Sequence, residues 1–171
     1  MDPVGYELRT NVHGKGDGVF ATRNFSIGGT VIRGVIESRL ECNDSHATQV
    51  SLTEFVRHAD MGPKANHSCG PNCGMRINDT GAFDFIARKK IVKGDEITFD
   101  YAMRNYSIEY FPNRCLCGSE QCRGHITGWK NLPDERKKEY EYEGLVAPYL
   151  LEIDREALAS LRDRQLSSLR G

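Results

Sequence analysis

Asn66-His67-Ser68-Cys69-Gly70-Pro71-Asn72-Cys73 and Gly94-Asp95-Glu96-Ile97-Thr98-Phe99-Asp100-Tyr101 are the two stretches whose reading decides the fold. The first places an amide, an imidazole and two thiols around a Gly-Pro-Asn turn. The second is a Gly-Asp turn followed by a short β-rich run that ends on a tyrosine. A third stretch, Cys115 to Cys122 (CLCGSEQC), holds three further thiols. A fourth, Gly14-Lys15-Gly16-Asp17-Gly18, is a glycine-rich loop between two β-rich segments.

The totals narrow the classes open to the chain. Its 171 residues suggest one domain with room for a real core. With 23 basic against 24 acidic residues and no basic block, a stand-alone nucleic-acid binder is disfavoured. Met1-Asp2-Pro3-Val4 is neither basic nor apolar, so no signal peptide is expected. No apolar run is long enough to span a bilayer, so no membrane partner is expected. Six cysteines, unevenly placed, do not read as a secreted disulfide scaffold. Their clustering favours a metal inside the cell.

Read in order, residues 5–9, Val19–Thr22 and Thr30–Ile36 are β-rich runs, with a turn at Gly28-Gly29. The 14–18 loop is not a dinucleotide or phosphate fingerprint, because spacing and flanks are wrong. It reads as a hairpin connection or as a place where backbone approaches a ligand closely. Residues 37–65 are the least readable; Ala47–Leu52 suggests a strand and Thr53–Ala59 a short helix. Glu37, Glu41, Asp44, Glu54 and Asp60 read as a solvated face or as an acidic lip that steers a basic peptide. Gly74–Asn78 and Ala82–Arg88 form a hairpin around Asp79-Thr80-Gly81. Pro133, Asp134 and Glu135 suit a helix start, and Asp154 suits the cap of a last helix. On that helix Ala157, Leu158, Leu161, Leu166 and Leu169 form a stripe for packing on the domain or for a partner.

Taken together, the NHSC, FDY and cysteine-trio motifs resemble the SET-domain family of protein lysine methyltransferases with its post-SET zinc segment. The resemblance spans roughly residues 5–129. It implies a mainly β fold with short helices: small curved sheets around a knot-like crossing, here followed by C-terminal helices. The expected organisation is a SET domain over 5–111, a post-SET segment over 112–129, and a helical extension over 130–171 packed on the domain. It also implies S-adenosylmethionine held by Lys15, Gly16, Asp17, Asn66, His67 and Tyr101, with Tyr101 beside the transferring methyl. Phe99, by resemblance, leaves room for di- or trimethylation. One structural zinc would take Cys115, Cys117 and Cys122, with Cys69 as fourth ligand and Cys73 as its rival. Ile126 and Trp129 would pack on the cofactor, on the lysine channel or simply in the core.

The chemistry asked of such a site is modest in kind and demanding in geometry. A lysine amine has no lone pair while protonated, and making it neutral at pH 7 costs roughly 4–5 kcal/mol. A dry channel and a neighbouring cation lower that cost. The work is therefore positioning and desolvation, with no catalytic metal. Tyr101, with a reference pKa near 10, orients the amine rather than acting as a general base. The expected activity is protein-lysine N-methylation, with a histone tail as the favoured substrate and the nucleus as the site of action in a eukaryote. A non-histone protein substrate and an idle SET-like peptide-binding module are the alternatives.

Overall fold

The computed structural model describes residues 4–10, 14–44, 46–109 and 114–168. Among these, the chain builds three small sheets and closes with two helices. The first sheet orders as β1 (Tyr6–Arg9), β2 (Gly18–Ala21), β10 (Glu96–Phe99) and β7 (Asn66–His67). β10 runs antiparallel to β2 and parallel to β7, with Thr98 opposite Asn66 and Phe99 opposite His67. That parallel pairing brings the two opening stretches side by side, although some thirty residues separate them in the chain. Asn72 fastens the arrangement. Its side-chain amide donates to the Glu96 carbonyl at 2.8 Å and its Oδ1 accepts from the Thr98 N–H at 2.9 Å, so one side chain acts as a missing strand.

The second sheet orders as β3 (Thr30–Ile32), β9 (Phe83–Ala87) and β8 (Cys73–Ile77). β8 and β9 are the hairpin expected around Asp79-Thr80-Gly81, in register from Cys73–Ala87 to Ile77–Phe83. The third orders as β4 (Ile36–Leu40), β6 (Phe55–His58) and β5 (Thr48–Gln49). Here two sequence expectations fail. Thr53–Ala59 is not a helix: Phe55–His58 is the centre strand of the third sheet, with Val56 and His58 turned inward. Its β-forming residues pair on both sides, and tertiary pairing outweighs any helical start. The run Thr30–Ile36 is also not one strand. It breaks at Arg33–Val35, where Gly34 lies against the Phe83 backbone with no room for a Cβ, and Ile36 opens a different sheet. Of Ala47–Leu52, only Thr48–Gln49 pairs as strand.

The helices are α1 (Asp134–Glu143) and α2 (Pro148–Ser168). Pro133 precedes α1, Asp134 and Glu135 lie in its first turn, and Gly144 ends it in the left-handed region at φ +64°. α2 begins six residues before Asp154, contrary to the sequence expectation. Pro148 supplies the fixed φ of a helix start, and Ala147 before it is fully buried. Asp154 is instead an interior residue whose carboxylate accepts from Trp129 Nε1 at 2.9 Å and Lys137 Nζ at 3.0 Å.

One continuous core joins these parts. Val19, Ile32, Met75, Phe83, Phe85, Ile97 and Phe99 of the sheets share it with Trp129, Tyr140 and Leu150 of the C-terminal region. The helices thus complete the interior at their near ends. The far half of α2 does not: Leu158, Leu161 and Leu166 are more than half exposed, so the expected packing of that stripe is absent, while Leu169 lies outside the described residues. Among the described residues, no helix is long and apolar enough to cross a membrane.

This division is testable by chemical denaturation. Leu150→Ala, at a fully buried position, should cost about 2–5 kcal/mol. Leu161→Ala should stay within about 0.5 kcal/mol of the parent.

Candidate functional site

The site forms where the first sheet ends. After Phe99 the Asp100 carboxylate accepts from the Ala102 N–H at 3.1 Å and starts a single 3-10 turn, Tyr101–Met103. Tyr101 therefore leaves the strand, and its position beside Phe99 does not come from strand alternation. The turn folds Tyr101 back, and the two rings meet at 4.9 Å between centroids, tilted by 45°. Phe85 stands edge-on behind Phe99 at 5.0 Å.

Tyr101 is held from three sides. Its hydroxyl donates to the Ala65 carbonyl at 3.2 Å, its N–H donates to His67 Nδ1 at 3.3 Å, and its ring meets the His67 ring edge-on at 5.2 Å. Burial pushes the phenol above its ordinary range, so it is a neutral hydroxyl at pH 7. Burial likewise holds His67 down, to about 4, against the pull of Asp100. With Nδ1 accepting from a backbone N–H, the neutral imidazole carries its proton on Nε2, which faces Cys69 Sγ at 3.3 Å.

The glycine loop reaches the same place. The Asn66 side-chain amide donates to the Asp17 carbonyl at 2.9 Å and to Glu96 Oε1 at 2.7 Å. Lys15 Nζ donates to Glu96 Oε2 at 2.6 Å. A Cβ at Gly18 would stand 3.0 Å from both Asn66 Nδ2 and Glu96 Oε1, so glycine there lets the loop close on the amide. Gly16, at φ +85°, is in a region that other residues avoid. Because the Asn66 NH2 is engaged by the protein itself, the amide oxygen is the side-chain atom left for a ligand.

Two cavities meet on Lys15, Asn66 and Tyr101. The larger, about 390 Å³, adds Gly14 and His67 on one side and Arg114, Cys115, Leu116, Cys117 and Ile126 on the other. The smaller, about 280 Å³, adds Asp17, His46, Pro63 and Lys64. Lys15, Asp17, Asn66, His67 and Tyr101, five positions singled out from sequence, thus share one cleft, with Gly16 in the loop between Lys15 and Asp17. Ile126 lines its wall. Trp129 does not; it is buried in the core with its indole N–H on Asp154.

The thiols of Cys69, Cys115, Cys117 and Cys122 all lie within 4.8 Å of one another. Tetrahedral coordination with metal–sulfur bonds of about 2.3 Å requires sulfur–sulfur edges of about 3.8 Å. Cys69 and Cys115 already stand 3.8 Å apart. Burial raises the Cys69 thiol to about 11, and it raises Cys115 as well. For Cys117, burial is outweighed by the backbone N–H groups of Cys69 and Ser119, and the thiol falls to about 7. Four clustered thiols, one of them readily ionised, fit a closed site for one metal ion. Cys73 is placed elsewhere, fully buried among the apolar residues of β8 and β9.

Several residues that organise the cleft are given no role by the sequence reading, although Glu96 and Asp100 lie inside one of its motif stretches. Asp100 is fully buried; it accepts a two-pronged contact from Arg123 at 2.6 and 3.0 Å and the Tyr140 hydroxyl at 3.0 Å. Glu96 clamps Lys15 to Asn66. Arg104 lies beneath Phe99 and donates to Thr48. Their signal in the sequence is only that charged residues flank apolar ones, which becomes informative once burial demands partners. The acidic lip does not form as expected. Glu54 pairs with Arg39, Asp44 with Arg57, and Asp60 is buried against His58, so of the five only Glu37 and Glu41 stand exposed outside the ion pairs, closer to a solvated face than to a lip.

A family model described as SET domain matches residues 16–102. Histone-lysine N-methyltransferase 2B of Homo sapiens is 29% identical over 136 residues, covering 67% of this chain and 5% of that protein. The H3 lysine-36 specific histone-lysine N-methyltransferase of Schizosaccharomyces pombe is 36% identical over 78 residues, covering 44% of this chain and 10% of that protein. Among solved structures, KRYPTONITE in complex with mCHH DNA, an H3(1-15) peptide and SAH matches with a TM-score of 0.57 at 21% identity, over 71% of this chain and 29% of that one. The methyltransferase domain of human SETMAR matches with a TM-score of 0.54 at 20% identity, over 72% and 58%. The curated relatives are much longer proteins, and the chain spans a tenth or less of their length.

The thiol cluster makes a direct prediction. Metal analysis of the purified chain should find one ion, lost in Cys69→Ser and in Cys117→Ser but retained in Cys73→Ser. Retention by Cys69→Ser together with loss by Cys73→Ser would reverse the ligand assignment.

Proposed function

The chain belongs to the SET-domain family, and from that premise we infer that it transfers methyl groups from S-adenosylmethionine to lysine side chains of a protein. Histone H3 is the favoured substrate. The observation that carries this reading is the meeting of Tyr101 and the Asn66–His67 strand at one cleft beside the glycine loop, with Phe99 buried directly behind the Tyr101 ring. The relatives' printed names, and the H3 peptide and SAH bound to KRYPTONITE, support the choice of substrate and cofactor. Action on histones assigns the protein to chromatin and so to the nucleus.

The cofactor, when bound, supplies an electrophilic methyl on a sulfonium. Everything else falls to the chain. Lys15, Gly16 and Asp17 hold the cofactor with main-chain groups and the Asn66 amide oxygen, and His67 gives it a rigid neutral wall. Tyr101 orients the incoming amine through its hydroxyl oxygen while remaining protonated, because burial keeps the phenol a weak acid. Bulk water accepts the proton that the amine must lose before transfer, and the apolar aromatic wall makes that loss easier. The four-thiolate set selects zinc. Zinc held there by Cys69, Cys115, Cys117 and Cys122 would tie the post-SET segment assigned to 112–129 to the SET domain assigned to 5–111, beside the cleft. In the extension over 130–171, α1 and the near end of α2 act as a helical support.

Phe99 decides the product. It is fully buried and presents no hydroxyl to hold a water where a methylated nitrogen must turn. Di- or trimethylation follows.

Calorimetry with S-adenosylmethionine and labelled methyl transfer to recombinant histone H3 test the reading together. Tyr101→Phe should lower kcat at least about a hundredfold, with cofactor affinity within a few-fold. Phe99→Tyr should shift the product, read by mass spectrometry, toward monomethyl-lysine. Absence of cofactor binding in the parent would favour an idle peptide-binding module instead.

A further inference from the structure

Arg104 is a charge in an unexpected place. It is only 5% exposed, and it makes no ion pair among the described residues. Its guanidinium carbon lies 4.9 Å from the centre of the Phe99 ring and 6.0 Å from that of Tyr101. Nη1 donates to Thr48 Oγ1 at 3.0 Å, while Nε has no hydrogen-bond partner among the described residues. Its backbone is fixed as firmly: the N–H donates to the Tyr101 carbonyl, and the carbonyl accepts from the Tyr149 hydroxyl at 2.6 Å. Guanidinium does not give up its proton inside proteins, so this cation is permanent. A methionine or leucine would fill the space without the cost of burying charge.

The groups facing it are few. Asp60 is the nearest source of negative charge, but its oxygens are engaged by His58 and by the N–H groups of Val35 and Gly62. Tyr149 and Tyr101 are neutral phenols. Across the cleft, Lys15 and Glu96 neutralise each other. Arg104 therefore stands as a positive charge without a contacting anion behind the aromatic wall, opposed only at longer range by Asp60, and it occupies the electron-rich face of Phe99 that an ammonium would otherwise seek.

We propose that Arg104 selects the uncharged form of the target amine: a fixed cation behind Phe99 and Tyr101 repels the ammonium and admits the neutral base. This rests on the methyl-transfer reading and names a residue that reading does not require. No bond is made or broken by Arg104; the amine's proton leaves to water before transfer.

A like charge at about 10 Å in a protein interior shifts a proton equilibrium by about one pH unit. In the full chain with saturating S-adenosylmethionine and saturating histone H3, kcat should rise with pH, because kcat reads the amine inside the complex. Arg104→Gln should move that rise about one unit upward, a loss of about tenfold near neutrality that disappears by about pH 10. Arg104→Lys should keep the parent profile. An equal loss at every pH, or no change, overturns the proposal by showing support alone.

A second measurement is independent of any substrate. Ultraviolet difference titration of each protein against its Tyr101→Phe counterpart reads the Tyr101 phenol, which feels the same charge. Arg104→Gln should raise its midpoint, and Asp60→Asn, which strips the opposing charge, should lower it. Unmoved midpoints overturn the proposal even where Arg104→Gln folds poorly, since Asp60→Asn leaves Arg104 in place. Failure of the parent to methylate histone H3 would count against the substrate reading and would leave this titration decisive for Arg104.

Discussion

A carboxylate wholly removed from water holds the rest of the site in place. Asp100 ends a strand, starts the turn that carries Tyr101, and binds both the guanidinium of Arg123 and the hydroxyl of Tyr140. A buried anion is tolerated only when paired and hydrogen-bonded, so each partner is obligatory in the folded state. The partners come from different parts of the chain: the turn itself, the segment just past the last thiol, and the first helix. One charge thus couples the tyrosine, the three-cysteine segment and the C-terminal helices. The pairing acts on Arg123 as well: burial alone would loosen its hold on its proton, and the hydrogen bonds and charge of Asp100 more than offset that.

The helices gain a role from this arrangement. Tyr140 of α1 reaches Asp100, Tyr149 of α2 reaches the Arg104 carbonyl, and Glu139 and Glu143 close on Arg88 beside the second sheet. The two tyrosine contacts fall on the Asp100–Arg104 turn that carries Tyr101, not on the open face of the cleft. The near ends of the helices brace the turn from behind, where an S-adenosyl ligand and a peptide would press from the front. The far half of α2 takes no part in this bracing.

The fold was legible in those residues whose chemistry leaves few options. NHSC, FDY and the cysteine trio carried the family resemblance, and the hairpin around Asp79-Thr80-Gly81 followed from turn chemistry. Residues 37–65 were not legible because their strands are short, half-exposed and stabilised by pairing at a distance. Phe55–His58 shows this well: its preference is settled by β4 and β5, which no local pattern reveals. Asp154 misled for a related reason, since a residue suited to capping was needed for the Trp129 indole. At the site, the motif residues were found together, while Glu96, Arg104 and Arg123 were not foreseen. Ion pairs between distant residues leave no periodic trace.

The most direct measurement is a crystal structure of the chain with S-adenosylhomocysteine and a lysine-bearing H3 peptide. The account predicts the adenosyl group between the Asn66–His67 strand and the Arg114–Cys117 wall, with the sulfur and the lysine nitrogen facing each other beside the Tyr101 hydroxyl. A ligand bound elsewhere, or a lysine entering by a route that never reaches Tyr101, would contradict it.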